Sequence, residues 1–164
     1  MFDRLEAIQR RAVRWILSEP YIDYDEIHSN SYRAKLKLLD LLPLEFKFVH
    51  TDMSMFFKII HNFVNIKLPD YLRRVSPEDM TRLRTDHRDE TQIICDIDEK
   101  LDVFKRSYFN RCYIYWNSLP LQLRQEVDYD KFQKKLKDYL WQLLLEDHFS
   151  DRSNSLSSFF SDSE

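Results

Sequence analysis

The chain has 164 residues and not one glycine, where about 7% would be average. Glycine is the residue that enters the left-handed backbone region without a steric cost, and it closes helices and tight turns for that reason. A chain without it is expected to be mainly α, with Pro, Asn, Asp and Ser making its turns. The same absence argues against phosphate loops and dinucleotide-binding turns, which need glycine where backbone meets ligand. It also argues against the sharp nucleophile turn of the serine hydrolases.

An apolar content of 43% with 32% charged residues is that of an ordinary globular chain. The length suits one domain with a real core. We read residues 1–148 as a single small, irregular helical domain of about five helices, with an irregular segment at 65–100 between helical halves. The last sixteen residues, FSDRSNSLSSFFSDSE, are serine-rich and acidic and read as a disordered tail over 149–164. No apolar run approaches the roughly 18 residues of a membrane span, and the charged opening MFDRLEAIQRR does not read as a signal peptide. Its first helical turn starts at Met1 with no residue before it to cap it, which reads as a piece of something longer. Cys95 and Cys112 suggest a reducing compartment.

The first helix is expected over 2–17, with Phe2, Leu5, Ile8, Ala12, Trp15 and Ile16 on one apolar face. Arg10, Arg11 and Arg14 share its remaining surface, and they serve either as phosphate contacts or as a solvated face. A loop over 18–31 leads to a short helix near 31–40. A long helix over about 43–64 carries Leu44, Phe48, Met55, Ile59 and Phe63. The β-rich QIICDI at 92–97 allows one short strand or a hairpin near 82–97, with Arg82–Asp86 as its nearest partner. From Leu101 a stripe of Phe104, Tyr108, Cys112, Tyr115 or Trp116, and Leu119 marks a helix that Pro120 ends. A helical turn at 120–127 follows. Asp128 then caps a helix of about 129–147, whose Lys131, Lys134, Lys135 and Lys137 cover part of its polar side.

No catalytic or metal-binding set emerges. Cys95 and Cys112 lie far apart in sequence, with no second ligand at zinc-site spacing. His50 and His61 share a helix face but lie about 16 Å apart. Seven acids (Asp86, Asp89, Glu90, Asp96, Asp98, Glu99 and Asp102) fall in the irregular segment 85–102 against Arg88 and Lys100, a poor scaffold for carboxylates that must converge on magnesium. With a net charge of −3, bulk charge will not hold nucleic acid, so any basic footprint is local. No cofactor and no small-molecule substrate is expected. The aromatic run YFNRCYIYW at 108–116 could be a platform for bases or a buried helix. Its helical stripe favours core, leaving Phe109 and Tyr113 off centre.

That same run carries a resemblance. Ser107, Tyr108, Phe109 and Arg111, followed by Trp116, Asn117, Leu119 and Pro120, resemble the SF-x-x-R…WN-x-LP signature that follows the polymerase domain of LINE-type (jockey-like) non-LTR retrotransposons. LEAIQRRAVRWI at 5–16 resembles that family's L-x-x-x-Q-x-x-A-x-R-x-I helix, and KLKLLDLLPLEFK at 35–47 its R-L-x-x-L-x-L-x-x-L-x-x-R stretch. Asp52 with FFKIIHN at 56–62 is similar to its D-x-x-x-x-YKI-x-N/H-G segment. DKFQKKLKDYL at 130–140 is similar to its closing F-K-x-x-L-x-x-Y/F-L helix. Two departures stand out: Tyr108 replaces the usual Phe, and Val64 or Asn65 stands where the family has the glycine after YKI.

The resemblance implies a C-terminal region downstream of a reverse transcriptase, in a polyprotein whose polymerase and endonuclease sites lie elsewhere. It implies a non-catalytic helical element that assists binding of RNA or DNA, as template or target, inside the cell in nucleus or cytoplasm. Arg10, Arg11, Arg14 and the 131–137 lysines are the possible contacts, and the motif residues are mostly structural. The alternative is a degenerate or co-opted helical protein-interaction module with no nucleic-acid role.

Overall fold

In a computed structural model of the chain, the structure describes residues 2–17, 32–82, 89–97 and 107–146. The loop expected at 18–31 and the tail expected at 149–164 lie outside the described residues. The chain is mainly α: the described residues form seven helices and one two-stranded antiparallel sheet. The helices are α1 (Phe2–Ile16), α2 (Tyr32–Leu38), α3 (Leu44–Ile60), α4 (Pro77–Arg82), α5 (Tyr108–Ser118), α6 (Leu121–Arg124) and α7 (Tyr129–Glu146), and the strands are β1 (Leu72–Arg74) and β2 (Ile93–Cys95). They belong to two compact units, residues 1–49 with 143–164, and residues 50–142.

The missing glycines have visible substitutes. Asp40 and Asn62 hold φ of 54° and 59°, the left-handed region that short polar side chains tolerate best after glycine. Each closes a helix in the same way. Leu41 N–H donates to Leu36 O at 2.9 Å and Asp40 N–H to Lys37 O at 3.1 Å. Phe63 N–H donates to Lys58 O at 2.9 Å and Asn62 N–H to Ile59 O at 3.2 Å. These are Schellman ends, which use up two of the carbonyls a helix leaves unpaired. The left-handed position after FKI is therefore Asn62. It lies two and three residues before Val64 and Asn65, the residues set against the family's glycine.

In the first unit, α1 packs on α2 through a narrower face than its apolar period predicts. Val13 is buried, and Glu6, Gln9 and Leu17 are half-buried beside it. Gln9 Nε2 donates to Leu42 O at 3.1 Å. Leu44 N–H donates to Glu6 Oε2 at 3.0 Å, so a carboxylate from α1 caps the start of α3 and complements its dipole. Leu5, Ile8, Ala12, Trp15 and Ile16, expected to form the buried face, are exposed instead. An apolar arc wider than its partner surface can be covered only in part, and the Glu6–Leu44 and Gln9–Leu42 bonds select which part.

In the second unit, Met53, Phe56, Phe57 and Ile60 of α3 share the core with Cys112, Tyr115 and Trp116 of α5 and with Phe132, Leu136 and Leu140 of α7. Phe57 stacks on Phe132 with ring centres 4.3 Å apart and on His61 at 4.1 Å. The strand expected at 92–97 exists over 93–95, but its partner is β1, with Leu72 opposite Cys95 and Arg74 opposite Ile93. Of the expected partner segment, Arg82 ends α4 and 83–88 lie outside the described residues. The segment read as irregular also hides a helix. Ser76 and Asp79 bond reciprocally (Ser76 N–H to Asp79 Oδ2 at 2.9 Å, Asp79 N–H to Ser76 Oγ at 3.3 Å), a capping box with Pro77 at the first helical position.

His50 Nε2–H donates to Gln133 O at 3.2 Å, and burial, with the nearby Lys137 charge adding to it, holds its pKa below the usual 6.5. Below that pH the unfolded chain takes up a proton that folded His50 resists, so stability falls as pH drops. Urea midpoints at about pH 7.5 and 5.5, bracketing the free histidine pKa, are expected to show this fall, and His50→Gln should shrink it. An equal fall in the variant would assign the titration to another group.

Candidate nucleic-acid interface

The residues that carry the resemblance form a structural corner. Of the helix expected from Leu101, residues 101–106 lie outside the described residues, and Ser107 is not helical. It is extended and accepts Asn110 N–H on its hydroxyl, an N-cap that starts α5 at Tyr108. Arg111 donates from Nε at 3.0 Å and Nη2 at 2.9 Å to Asp52 Oδ2, and Tyr108 OH donates to Asp52 O at 3.2 Å. Two of the resembling pieces, the aspartate before FFKIIHN and the arginine of SYF-x-R, thus meet. Trp116 Nε1 donates to Thr91 O at 2.7 Å. Asn117 accepts Ile93 N–H at 2.9 Å and donates to Ile93 O at 2.8 Å, pairing with β2 as another strand would. Leu119 is buried, and Pro120 O accepts Leu123 N–H at 2.9 Å to open α6.

Electrostatics at this corner oppose chemistry. Burial raises the Tyr108 phenol well above its usual range and pushes the Cys112 thiol up to about 12. Cys112 therefore stays protonated at neutral pH and is a poor nucleophile. Burial also works against the Arg111 charge, but Asp52 more than offsets it and its pKa rises. Trp116 is 1% exposed and cannot stack on a base. Phe109 and Tyr113 are half-buried, with Phe109 edge-on to Tyr108 at 5.3 Å. The Tyr115–Trp116 end of the aromatic run is core, and Tyr108, Phe109 and Tyr113 lie half-buried at its margin.

The basic residues divide. Arg10, Arg11 and Arg14 are exposed on α1, and so is Arg4, which the expected contact set omits. At 100° per residue, Arg14, Arg11 and Arg4 fall within about 80° of arc, and Trp15 stands about 20° beyond Arg4. Trp15 is 79% exposed. Arg10 lies further round and sits 5.0 Å over the Tyr32 ring. Glu6 is turned to Leu44 and leaves the arginine arc unopposed by its charge. The period of arginines 4, 11 and 14 could have drawn attention to Arg4.

Lys131, Lys134, Lys135 and Lys137 belong to the other compact unit. Lys135 Nζ is bound to Glu126 Oε2 at 2.6 Å, and Lys137 is half-buried. Lys131 and Lys134 are exposed, with Asp130 and Asp138 exposed beside them on the same helix. This surface is nearly charge-balanced, and the α1 face is the better-formed candidate. Among the described residues no three His, Cys, Asp or Glu side chains could together hold a metal ion, and no described helix is long and apolar enough to cross a membrane. The chain matches no protein-family model, no curated protein and no solved structure.

Proposed function

We propose that the chain is a non-catalytic helical element of a LINE-type retrotransposon reverse-transcriptase polyprotein, and that it contacts RNA or DNA phosphates through α1. The observation that carries the contact is the arc of exposed Arg4, Arg11 and Arg14, guanidiniums that α1 leaves at its solvent surface. The pairing of Asp52 with Arg111 supports the family reading, because it gives two separated pieces of the resemblance a shared physical reason. Phosphate contact by three arginines releases counterions, so affinity should depend steeply on salt. Anisotropy of a labelled RNA strand is expected to report a fall of about 20-fold in affinity between about 50 and 200 mM salt, for roughly three phosphates on a single strand. The Arg4→Ala/Arg11→Ala/Arg14→Ala variant should lose most of that slope while keeping its circular dichroism. Absence of binding by the parent chain at the lower salt removes the nucleic-acid role and leaves the interaction-module alternative.

A further inference from the structure

Phosphate contact accounts for only one edge of the exposed side of α1. Ile8 is 64% exposed, Ile16 49% and Leu5 41%. At 100° per residue, Arg14, Arg11 and Arg4 line one edge of that side, and Ile8, Leu5 and Ile16 follow within about 120° beyond Arg4. Phosphates answer the guanidiniums and leave the aliphatic edge in water. An occupant of the whole side must carry acids and large apolar groups close together.

The chain itself carries such a segment. Residues 147–164 lie outside the described residues, and their sequence holds Asp147, Asp151, Asp162 and Glu164 against Arg152. It closes on FFSDSE, in which Phe159 and Phe160 stand just before Asp162 and Glu164. The other acid-rich stretch, 85–102, has no aromatic residue and belongs to the other compact unit. Position favours the tail as well. Leu143–Glu164 shares one compact unit with Met1–Val49, Arg33 of α2 donates from Nη1 to Leu144 O at 3.2 Å, and α2 packs on α1. The chain from Glu146 to Phe160 can reach about 45 Å, twice the roughly 22 Å length of α1. A tethered occupant meets its site at an effective concentration of about 1 mM, so even a weak contact is populated.

Resting on the phosphate-contact reading above, we infer that residues 147–164 dock on α1 and compete there with nucleic acid. The tail acids pair with Arg4, Arg11 and Arg14, and Phe159 with Phe160 covers Ile8 and its aliphatic neighbours. Nucleic acid must displace the tail to reach the arginines. A tail docked in about two molecules of three lowers the apparent affinity about threefold.

The test uses the full chain, labelled with ¹⁵N. Backbone amide signals of residues 159–164 are expected to move in Arg4→Ala/Arg11→Ala/Arg14→Ala, and to move the same way when the RNA strand is added to the parent chain. Phe159→Ser/Phe160→Ser leaves the net charge unchanged, so a gain in RNA affinity cannot come from lost repulsion. That gain should be about threefold at low salt. Tail amides indifferent to the arginines, with RNA affinity unchanged by the phenylalanine variant, overturn the inference and leave the arginine contact standing. Tail shifts that vanish on dilution would place the tail on a second copy of the chain and overturn it too. Failure of both proteins to bind RNA overturns the phosphate contact and the competition together. Phosphatidylserine vesicles are the last arm: binding that Ile8→Ser abolishes and the tail variant leaves unchanged assigns the aliphatic edge to a membrane surface and overturns the inference.

Discussion

Trp116→Ala is expected to lower the unfolding free energy by about 3–5 kcal/mol, the range for removing a large aromatic from a close-packed core. The ring is 1% exposed and lies among Phe56 and Phe132 with centroids 5.9 Å away, and Phe57 at 6.5 Å. Loss of the indole leaves a void that its close-packed neighbours cannot fill by small shifts, Phe57 and Phe132 being stacked on each other at 4.3 Å. It also strands Thr91 O, which accepts the indole N–H at 2.7 Å. Residues 89–92 form the turn into β2, so the hairpin loosens along with the core. Urea unfolding followed by circular dichroism measures the effect, and Trp116→Phe should cost less, keeping ring contacts while losing the bond. A Trp116→Ala protein of near-parent stability that loses nucleic-acid affinity would reverse the assignment of this run to the core.

The difference between Trp116 and Trp15 marks how far the sequence could be read. Helical period placed both in apolar stripes, and α1, α2 and α7 emerged close to their expected bounds, with Asp128 capping α7 by accepting Lys131 N–H at 2.9 Å. Period tells which residues share a face; it cannot tell what a neighbouring element covers. The α5 stripe is answered by α3 and α7. The α1 stripe is answered by α2 over a strip centred on Val13, because Glu6 and Gln9 hold the loop at 42–44 there. The start of α5 was legible in a different signal, Ser107 as a cap, which a longer apolar period running back through Phe104 obscures. The pairing of β2 was not legible at all. Its partner is about twenty residues upstream, and strands of three residues carry too little alternation to announce a register. The contact of Arg111 with Asp52 is equally invisible to spacing, because the two stand on different helices, 59 residues apart.

Asp89→Ala is expected to be the more damaging half of a second pair, costing about 3 kcal/mol, near the lower end for stranding one partner of a buried ion pair. Arg124 has a side chain only 7% exposed and meets Asp89 Oδ2 from Nη2 at 2.8 Å. Its Nε donates to Leu119 O at 3.0 Å, whereas Nη1 is buried with no hydrogen-bond partner among the described residues. Asp89 is therefore what balances a guanidinium already one bond short. The reverse loss is milder. Asp89 is 26% exposed, and its Oδ1 accepts the backbone N–H of Thr91 at 2.9 Å and the Thr91 hydroxyl. It can keep that turn and meet water when Arg124 is gone. Arg124→Met preserves the buried hydrocarbon and should cost about 1 kcal/mol, largely the unmet Leu119 carbonyl. Asp89→Ala/Arg124→Met should then be more stable than Asp89→Ala alone, because removing the stranded charge relieves most of the damage. Urea midpoints of the four proteins close the cycle. Equal costs for the two single variants would mean that water reaches Arg124, and the corner between α5 and α6 would be wetter than its packing indicates.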